Sequence, residues 1–229
     1  MGHLDFASIA HAIPYLFSTG MLLTLQLTAL AAGMGLAFGT LLAVMRLSPF
    51  AILRIPAGIY VTVMRSVPLL LVIFWFYFLV PYIGAWITGS DRPIQVGALL
   101  SAIVSFTLFE AAYFCEIMRA GIQSISRGQV FAARALGLTY RQTMTNVILP
   151  QAFRNMVPSL LTRTIILFQD TSLVYVVALT DFLGAASKIG QRDGRLTEMY
   201  LFVAVVYLVI CFTASRLTKS FEKRIKIVR

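Results

Sequence analysis

Three ionisable residues lie within long apolar stretches of the sequence: Glu110, Arg163 and Asp170. Charged groups are costly in the hydrocarbon region of a membrane, so those that occur there commonly line a polar path. Because a guanidinium can hold a carboxylate through two hydrogen bonds, Arg163 is a candidate contact for an acidic substrate. Two structural alternatives stay open: the three groups pair with one another to fix the helices, or they lie near an interface and reach water.

The sequence lacks the common motifs of catalytic, metal-binding and nucleotide-binding sites. The sequence contains no His-Glu-x-x-His motif, no Ser/His or paired-Asp arrangement in its apolar stretches and no Gly-x4-Gly-Lys-Ser/Thr phosphate loop. Cys115 and Cys211 lie in apolar stretches, and His3 and His11 have no neighbouring cluster with metal-ligand spacing. We therefore predict that the chain is not an enzyme and holds no metal or other cofactor itself.

The segment from about residue 124 to 150 has the pattern of two short helices. It contains two Ser/Thr-x-x-Gln capping boxes, Ser126 with Gln129 and Thr139 with Gln142. Gly137 is placed to end the first helix in the left-handed conformation, and Pro150 closes the second helix or begins the next one.

The first of these helices carries more apolar surface than a small loop can hide. Phe131 can fill a pocket on a partner, while the small residues Ala132, Ala133 and Gly137 allow close approach of another backbone. Packing against the chain's own helix ends is the alternative. A DNA-binding helix-turn-helix is disfavoured, because attachment to membrane spans at both ends restricts access to a duplex.

The composition indicates that the helices carrying these residues lie in a membrane. Of 229 residues, 59% are hydrophobic and 12% are charged, far from the balance of a soluble domain. About 20 apolar residues cross a bilayer as a helix. The sequence therefore predicts one all-α membrane domain over residues 1–229 with about five spans: Met21 to Met45, Val67 to Gly89, Val96 to about Met118, Asn155 to Thr180 and Leu196 to Ser215. Pro158, Arg163 and Asp170 predict that the fourth is broken.

The positive charges predict the orientation. Leaving Arg163 aside, fourteen Lys and Arg residues fall on one side of the five spans and four on the other. Because basic loops stay in the cytoplasm, the N-terminus is predicted outside and the C-terminus and the 124–150 segment inside. The net charge of +10 therefore needs no nucleic acid. The basic tail from Lys219 is predicted to stop transfer, with attraction to anionic lipid as the alternative.

Several motifs together resemble one family. Ala132-Ala133-x-x-x-Gly137, followed by Val147-x-Leu149-Pro150, is similar to the cytoplasmic EAA loop of ABC importer permeases, although Phe131 stands where that family often has Glu and Val147 where it usually has Ile. Three further segments resemble the polar-amino-acid branch: RSVPLLL from Arg65, FEAAYFCEIMRAGIQSISRGQ from Phe109 and LFQDTSLVYVVALTDF from Leu167. Within that branch, IGQRDG at Ile189 adds to a likeness to permeases of glutamate/aspartate importers.

The resemblance implies a type I importer permease in the bacterial inner membrane. It implies a second permease subunit, two ATP-binding subunits docked at the EAA loop and an extracytoplasmic amino-acid-binding protein, with ATP and Mg²⁺ held by the ATPase. The coupling residues would be Phe131, Ala132, Ala133, Gly137, Val147, Leu149 and Pro150. The alternatives are a permease for another polar amino acid, such as glutamine or histidine, and an ATPase-independent channel or secondary transporter.

Overall fold

In a computed structural model of the chain, residues 7–225 are described and are almost entirely helical. His3 and two basic residues of the predicted tail, Lys226 and Arg229, lie outside the described residues. The helical segments are Ala7–Tyr15, Leu16–Met21 (π), Leu22–Leu47, Ala51–Ser66, Leu69–Phe74, Trp75–Leu79 (π), Val80–Thr88, Ala98–Gln123, Arg127–Ala135, Tyr140–Thr143, Met144–Ile148 (π), Leu149–Asp170, Thr171–Val177 (3-10), Phe182–Asp193 and Leu196–Ile225.

Within residues 7–225, five helices are long and apolar enough to cross a membrane, as the sequence predicted. We refer to them as the first to fifth spans: Ile9–Leu47, Leu69–Thr88, Ala98–Gln123, Tyr140–Val177 and Leu196–Ile225. The first begins twelve residues before the predicted start at Met21. Its early part contains Pro14 and a polar Ser-Thr-Gly run, which a hydropathy pattern scores poorly, but a π-helical segment, Leu16–Met21, carries the helix through it.

The fourth span was predicted to be broken by Pro158, Arg163 and Asp170, and the prediction was wrong at the first two. Leu149–Asp170 is one α-helix with Pro158 inside it. Pro158 lacks an N–H, and its own carbonyl accepts a hydrogen bond from the Thr162 hydroxyl at 2.9 Å. The backbone changes only after Asp170, where it tightens into a 3-10 segment that ends at Ala178 with φ +62°.

The first and third spans form the centre of the bundle. A Cβ atom at Gly35 would lie 3.0 Å from the Glu110 Cβ, and one at Gly39 would lie 2.8 Å from the Phe114 Cβ and 3.0 Å from the Ala111 carbonyl oxygen. A side chain at either position would push the helices apart. The Gly-x-x-x-Gly pair therefore serves helix packing within this chain, and it brings the backbone close to Glu110.

Two shorter helices brace the spans. The linker helix, Ala51–Ser66, packs on the third span through Ala57, Val61 and Met64, and the Tyr60 hydroxyl donates to the Leu108 carbonyl at 2.7 Å. The return helix, Phe182–Asp193, is capped by the buried Asp181, whose carboxylate accepts hydrogen bonds from the amides of Leu183 and Gly184. Burial raises the pKa of Asp181 to about 6 despite these bonds.

Candidate transport path and docking hairpin

Glu110 and Arg163 form a bidentate ion pair between the third and fourth spans. Arg163 Nε lies 2.8 Å from Glu110 Oε2, and Arg163 Nη2 lies 2.5 Å from Oε1. The Glu110 side chain is fully buried and that of Arg163 is 11% exposed. In this low-dielectric setting both partners depend on each other, because removing either one leaves an uncompensated charge. The arrangement matches the pairing alternative left open by the sequence.

Arg163 also faces groups outside this pair. Its Nη2 lies 3.8 Å from Asp170 Oδ2, so the three ionisable residues singled out from the sequence form one cluster. Its guanidinium carbon lies 3.8 Å from the centre of the Tyr113 ring and 5.8 Å from that of Phe109, within the range of cation–π attraction. With two carboxylates near one guanidinium, the cluster carries a formal charge of −1 when all three groups are ionised.

A groove of about 610 Å³ opens beside this cluster. One wall is a stripe of polar residues on the fourth span at helical spacing, Asn155, Ser159 and Thr162, followed by Arg163. The first three are exposed. Asn155 donates to Ser124 Oγ at 2.8 Å and Thr162 to the Pro158 carbonyl. The polar atoms of the stripe that remain exposed are poorly solvated by lipid, so this face of the span favours water or another protein against it. The stripe is not evident from the sequence, because uncharged polar residues three and four apart are unremarkable until a helix is known to lie in the membrane.

A second carboxylate on the third span, Glu116, is surrounded by arginines. Arg119 Nη2 lies 2.7 Å from Glu116 Oε2 on the same helix, as the three-residue spacing suggests. Arg46 from the end of the first span and Arg65 from the end of the linker helix also pair with Glu116, the latter at 3.7 Å. One carboxylate therefore joins three elements, which the sequence did not predict because Arg46 and Arg65 are distant along the chain.

The hairpin (residues 124–150) has the predicted turn but only one of the two predicted caps. Gly137 has φ +75° and ends the helix Arg127–Ala135. The Thr139 amide donates to Gln142 Oε1 at 2.9 Å, and the Gln142 amide donates to Thr139 Oγ1 at 3.3 Å, which completes a capping box. Ser126 occupies the N-cap position of the first helix, but its side chain makes no capping hydrogen bond, so that box was wrong.

The second arm of the hairpin is not a separate short helix. Tyr140–Thr143 continues through a π-helical segment, Met144–Ile148, into Leu149–Asp170 without a break. Pro150 lies just after the π-helical segment, inside this continuous helix, so its missing N–H removes one helical hydrogen bond. The hairpin is therefore joined by continuous helix to the span that carries Arg163.

The proposed coupling residues divide into an exposed set and an inward set. Phe131 is 63% exposed, and Ala132, Gly137, Leu149 and Pro150 are also exposed. Ala133 is buried at 3% exposure and Val147 is half-buried, so these two present little surface to a partner.

Two large side chains that the sequence analysis did not select share the exposed surface. Leu136 is 81% exposed and Tyr140 is 75% exposed. Together with Phe131 they leave an apolar surface on the hairpin that nothing in the described part of the chain covers. Their signal in the sequence is their large apolar side chains beside the Gly137 turn.

Comparison with known proteins identifies the family. The profile of the binding-protein-dependent transport system inner membrane component family matches residues 35–227. The glutamate/aspartate import permease protein GltK of Escherichia coli O6:H1 is 52% identical to this chain over 98% of the chain and 99% of its own length. The probable amino-acid ABC transporter permease protein YckA of Bacillus subtilis is 35% identical over 93% of this chain and 90% of its own.

Solved structures agree on the fold. The crystal structure of an amino acid ABC transporter with histidines has a chain that is 32% identical and superimposes with a TM-score of 0.88, covering 97% of this chain and all of that one. An inward-facing MetNI methionine ABC transporter is 22% identical with a TM-score of 0.65, which shows the shared fold alone. The five spans, the hairpin and these matches lead to one conclusion: the chain has the type I ABC importer permease fold and belongs to the family of binding-protein-dependent transport system inner membrane components.

Proposed function

We propose that this chain is one permease subunit of an ATP-driven importer of glutamate and aspartate. The observation that carries the proposal is the 52% identity to a glutamate/aspartate import permease over nearly the full length of both chains. The N-terminus lies outside and the C-terminus in the cytoplasm, in keeping with the bias of Lys and Arg between the two sides. An extracytoplasmic binding protein delivers the amino acid to this subunit and a second, similar permease.

The hairpin is the docking site for one of two ATP-binding subunits, which hold the ATP and Mg²⁺ and perform the hydrolysis. Phe131, Leu136 and Tyr140 are large, exposed and apolar, as expected of residues that fill pockets on a partner. The chain itself contains no phosphate-binding loop. Because Phe131 replaces the Glu common in the family, docking here rests on apolar contact rather than on an ion pair from that position.

Movement of the hairpin reaches the path through the fourth span. Tyr140 and Arg163 lie on one continuous helix, 23 residues apart, so a displacement of the hairpin is carried about 35 Å as a rigid-body motion. Closure of the ATPases on ATP would then shift the permease pair between inward-open and outward-open states.

The polar path of this half runs along the stripe on the fourth span to Arg163, with Glu110 and Asp170 as its other charged members. In the empty path Glu110 neutralises Arg163. The other neighbour of the guanidinium is Asp170, 3.8 Å away on the side of the groove. Because the ionised cluster carries a net charge of −1, it attracts the amino group of the substrate, and a substrate carboxylate binds Arg163 only by displacing Asp170.

The test is uptake by the reconstituted complex in proteoliposomes, with both permeases, the ATPases and the binding protein present. We expect uptake of radiolabelled glutamate that requires ATP and is competed by aspartate but not by glutamine or histidine. Competition by glutamine or histidine at equal concentration would reassign the substrate, and uptake without any ATPase would establish a channel or secondary transporter instead.

A further inference from the structure

The fourth and fifth spans enclose a second groove, separate from the polar one, with a volume of about 550 Å³. Its walls are mostly apolar, with Leu161 and Ile165 on the fourth span and Ala214, Leu217 and Phe221 on the fifth. Leu217 is 67% exposed, so the groove is open to the surroundings of the helices. Its volume lies in the range of sites that hold small molecules.

The two grooves lie on different faces of the same pair of helices. Thr162 and Arg163 of the fourth span, with Glu222 of the fifth, line the polar groove. The neighbouring Leu161 and Phe221 line the apolar one. Since lipid cannot satisfy exposed polar groups, the polar face must meet water or protein, whereas acyl chains can fill the apolar groove without loss.

One end of the apolar groove carries a positively charged side chain. Arg224 lines it, is exposed, and makes no ion pair with any residue in the described range 7–225. Leu217 and Arg224 are seven residues apart on one helix, so their backbone positions are about 10 Å apart along the helix axis. That end is the more basic one, because Lys219 and Lys223 lie on the same stretch of helix.

We propose that this groove is a binding site for an anionic phospholipid of the inner leaflet. The acyl chains occupy the apolar walls, and the phosphate of the headgroup pairs with Arg224. The inference uses the proposed orientation, in which the end of the fifth span is cytoplasmic, but it does not depend on which amino acid is carried. Basic residues beside membrane grooves on the cytoplasmic side favour such headgroups.

Native mass spectrometry of the purified complex, incubated with equal amounts of phosphatidylglycerol and phosphatidylcholine, tests the site. We expect phosphatidylglycerol to be retained preferentially. Arg224→Gln should reduce its retention about fivefold, the factor expected for one basic residue near a charged headgroup. Ala214→Phe, which fills the groove without a change of charge, should also reduce it.

Two charge-matched controls separate this site from general attraction to the tail. Arg216→Gln and Lys223→Gln remove one positive charge each from residues that do not line the groove, and they should change retention less than twofold. Equal losses in all three charge variants would overturn the site. So would full retention in Ala214→Phe, equal retention of the two lipids by the unmodified complex, or efficient cross-linking of Leu217→Cys to the second permease.

Lipid retention is measured on the purified complex and does not depend on whether the complex transports an amino acid. Each variant is first checked for assembly by size-exclusion chromatography, so that loss of lipid is not confused with loss of the complex. A complex that retained phosphatidylglycerol through Arg224 but imported no glutamate would overturn the proposed function and leave the lipid site standing.

Discussion

The membrane interior and the hairpin differ in the kind of side chain that lies where it is least expected: the interior buries charged groups, and the hairpin exposes large apolar ones. Between the third and fourth spans, charged groups are buried and satisfied by one another, since Glu110 receives two hydrogen bonds from Arg163. On the hairpin, large apolar groups stand in the open, with Phe131 and Leu136 both more than half exposed. The buried charges are paired within the chain, whereas the exposed apolar surface of the hairpin needs another molecule to cover it.

This contrast separates residues that hold the permease together from residues that connect it to the rest of an importer. A change at the Glu110–Arg163 pair should appear first in stability. A change on the exposed side of the hairpin should leave the fold intact and appear in assembly. Four substitutions test this division, from the largest expected effect to the smallest.

Arg163→Met should have the largest effect on stability, because it leaves the Glu110 carboxylate buried without a partner. We expect the free energy of unfolding in bilayers, measured by steric trapping, to fall by about 3–5 kcal/mol. The double variant Glu110→Gln with Arg163→Met removes both charges and should recover much of that loss. Equal losses in the single and double variants would mean that the pair is not the source of the stability.

Phe131→Asp should leave the permease folded and weaken its association with the ATPase. An exposed aromatic anchor is worth about 2 kcal/mol, which corresponds to an affinity loss of about thirtyfold by surface plasmon resonance. Gln129→Asp adds the same charge to an exposed position on the same helix and is the control. Ala133→Asp is a poor substitute, because Ala133 is buried within the hairpin and its loss would disrupt the fold itself.

Gly137→Ala should have a moderate effect that is confined to the hairpin. A Cβ atom there meets nothing within 4 Å, so the cost is the strain of φ +75°, about 1 kcal/mol. Gly89→Ala imposes similar strain at φ +67°, also in open space, at the end of the second span. ATPase stimulation should fall in the first variant and stay unchanged in the second, whereas an equal fall in both would contradict a specific role for the hairpin.

Arg65→Gln should have the smallest effect. Its guanidinium lies 3.7 Å from Glu116 and its side chain is 43% exposed, so solvent screens the pair and we expect a loss of about 0.5 kcal/mol or less. Thermal unfolding of the complex measures this change. A loss as large as that from Arg163→Met would contradict the account, because the Glu116 cluster would then contribute as much to stability as the buried pair.

Much of this division was predictable from the sequence, since intramembrane charge and a small-residue loop with a glycine turn are local signals. Pairing of Glu110 with Arg163 was one of the alternatives that the sequence left open, but the sequence could not decide for it, because the two residues are 53 positions apart and only the packing of two spans brings them together. The predicted break in the fourth span was wrong at Pro158 and Arg163, but the α-helix does end at the third predicted residue, Asp170. The helix accommodates Pro158 within Leu149–Asp170, and Glu110 satisfies Arg163.

In the hairpin, too, the sequence predicted local features better than it predicted which side chains are buried. The Thr139 box was correct because its two partners are local, and the Ser126 box was wrong although its spacing is identical. The sequence identified the small residues of the coupling loop but not which of them face inward, since Ala132 and Ala133 differ only in their place on the helix. The linker helix lies between the first two predicted spans, in a stretch for which no element was predicted from the sequence.

Site-directed cross-linking in the assembled complex tests the central claim most directly. With the buried Cys115 and Cys211 replaced by alanine, a cysteine at Leu136 should cross-link to the ATP-binding subunit in high yield, and a cysteine at the exposed Tyr82 on the second span should not. Cross-linking of Leu136→Cys to the extracytoplasmic binding protein, or to no subunit in a complex that still imports with ATP, would contradict the account.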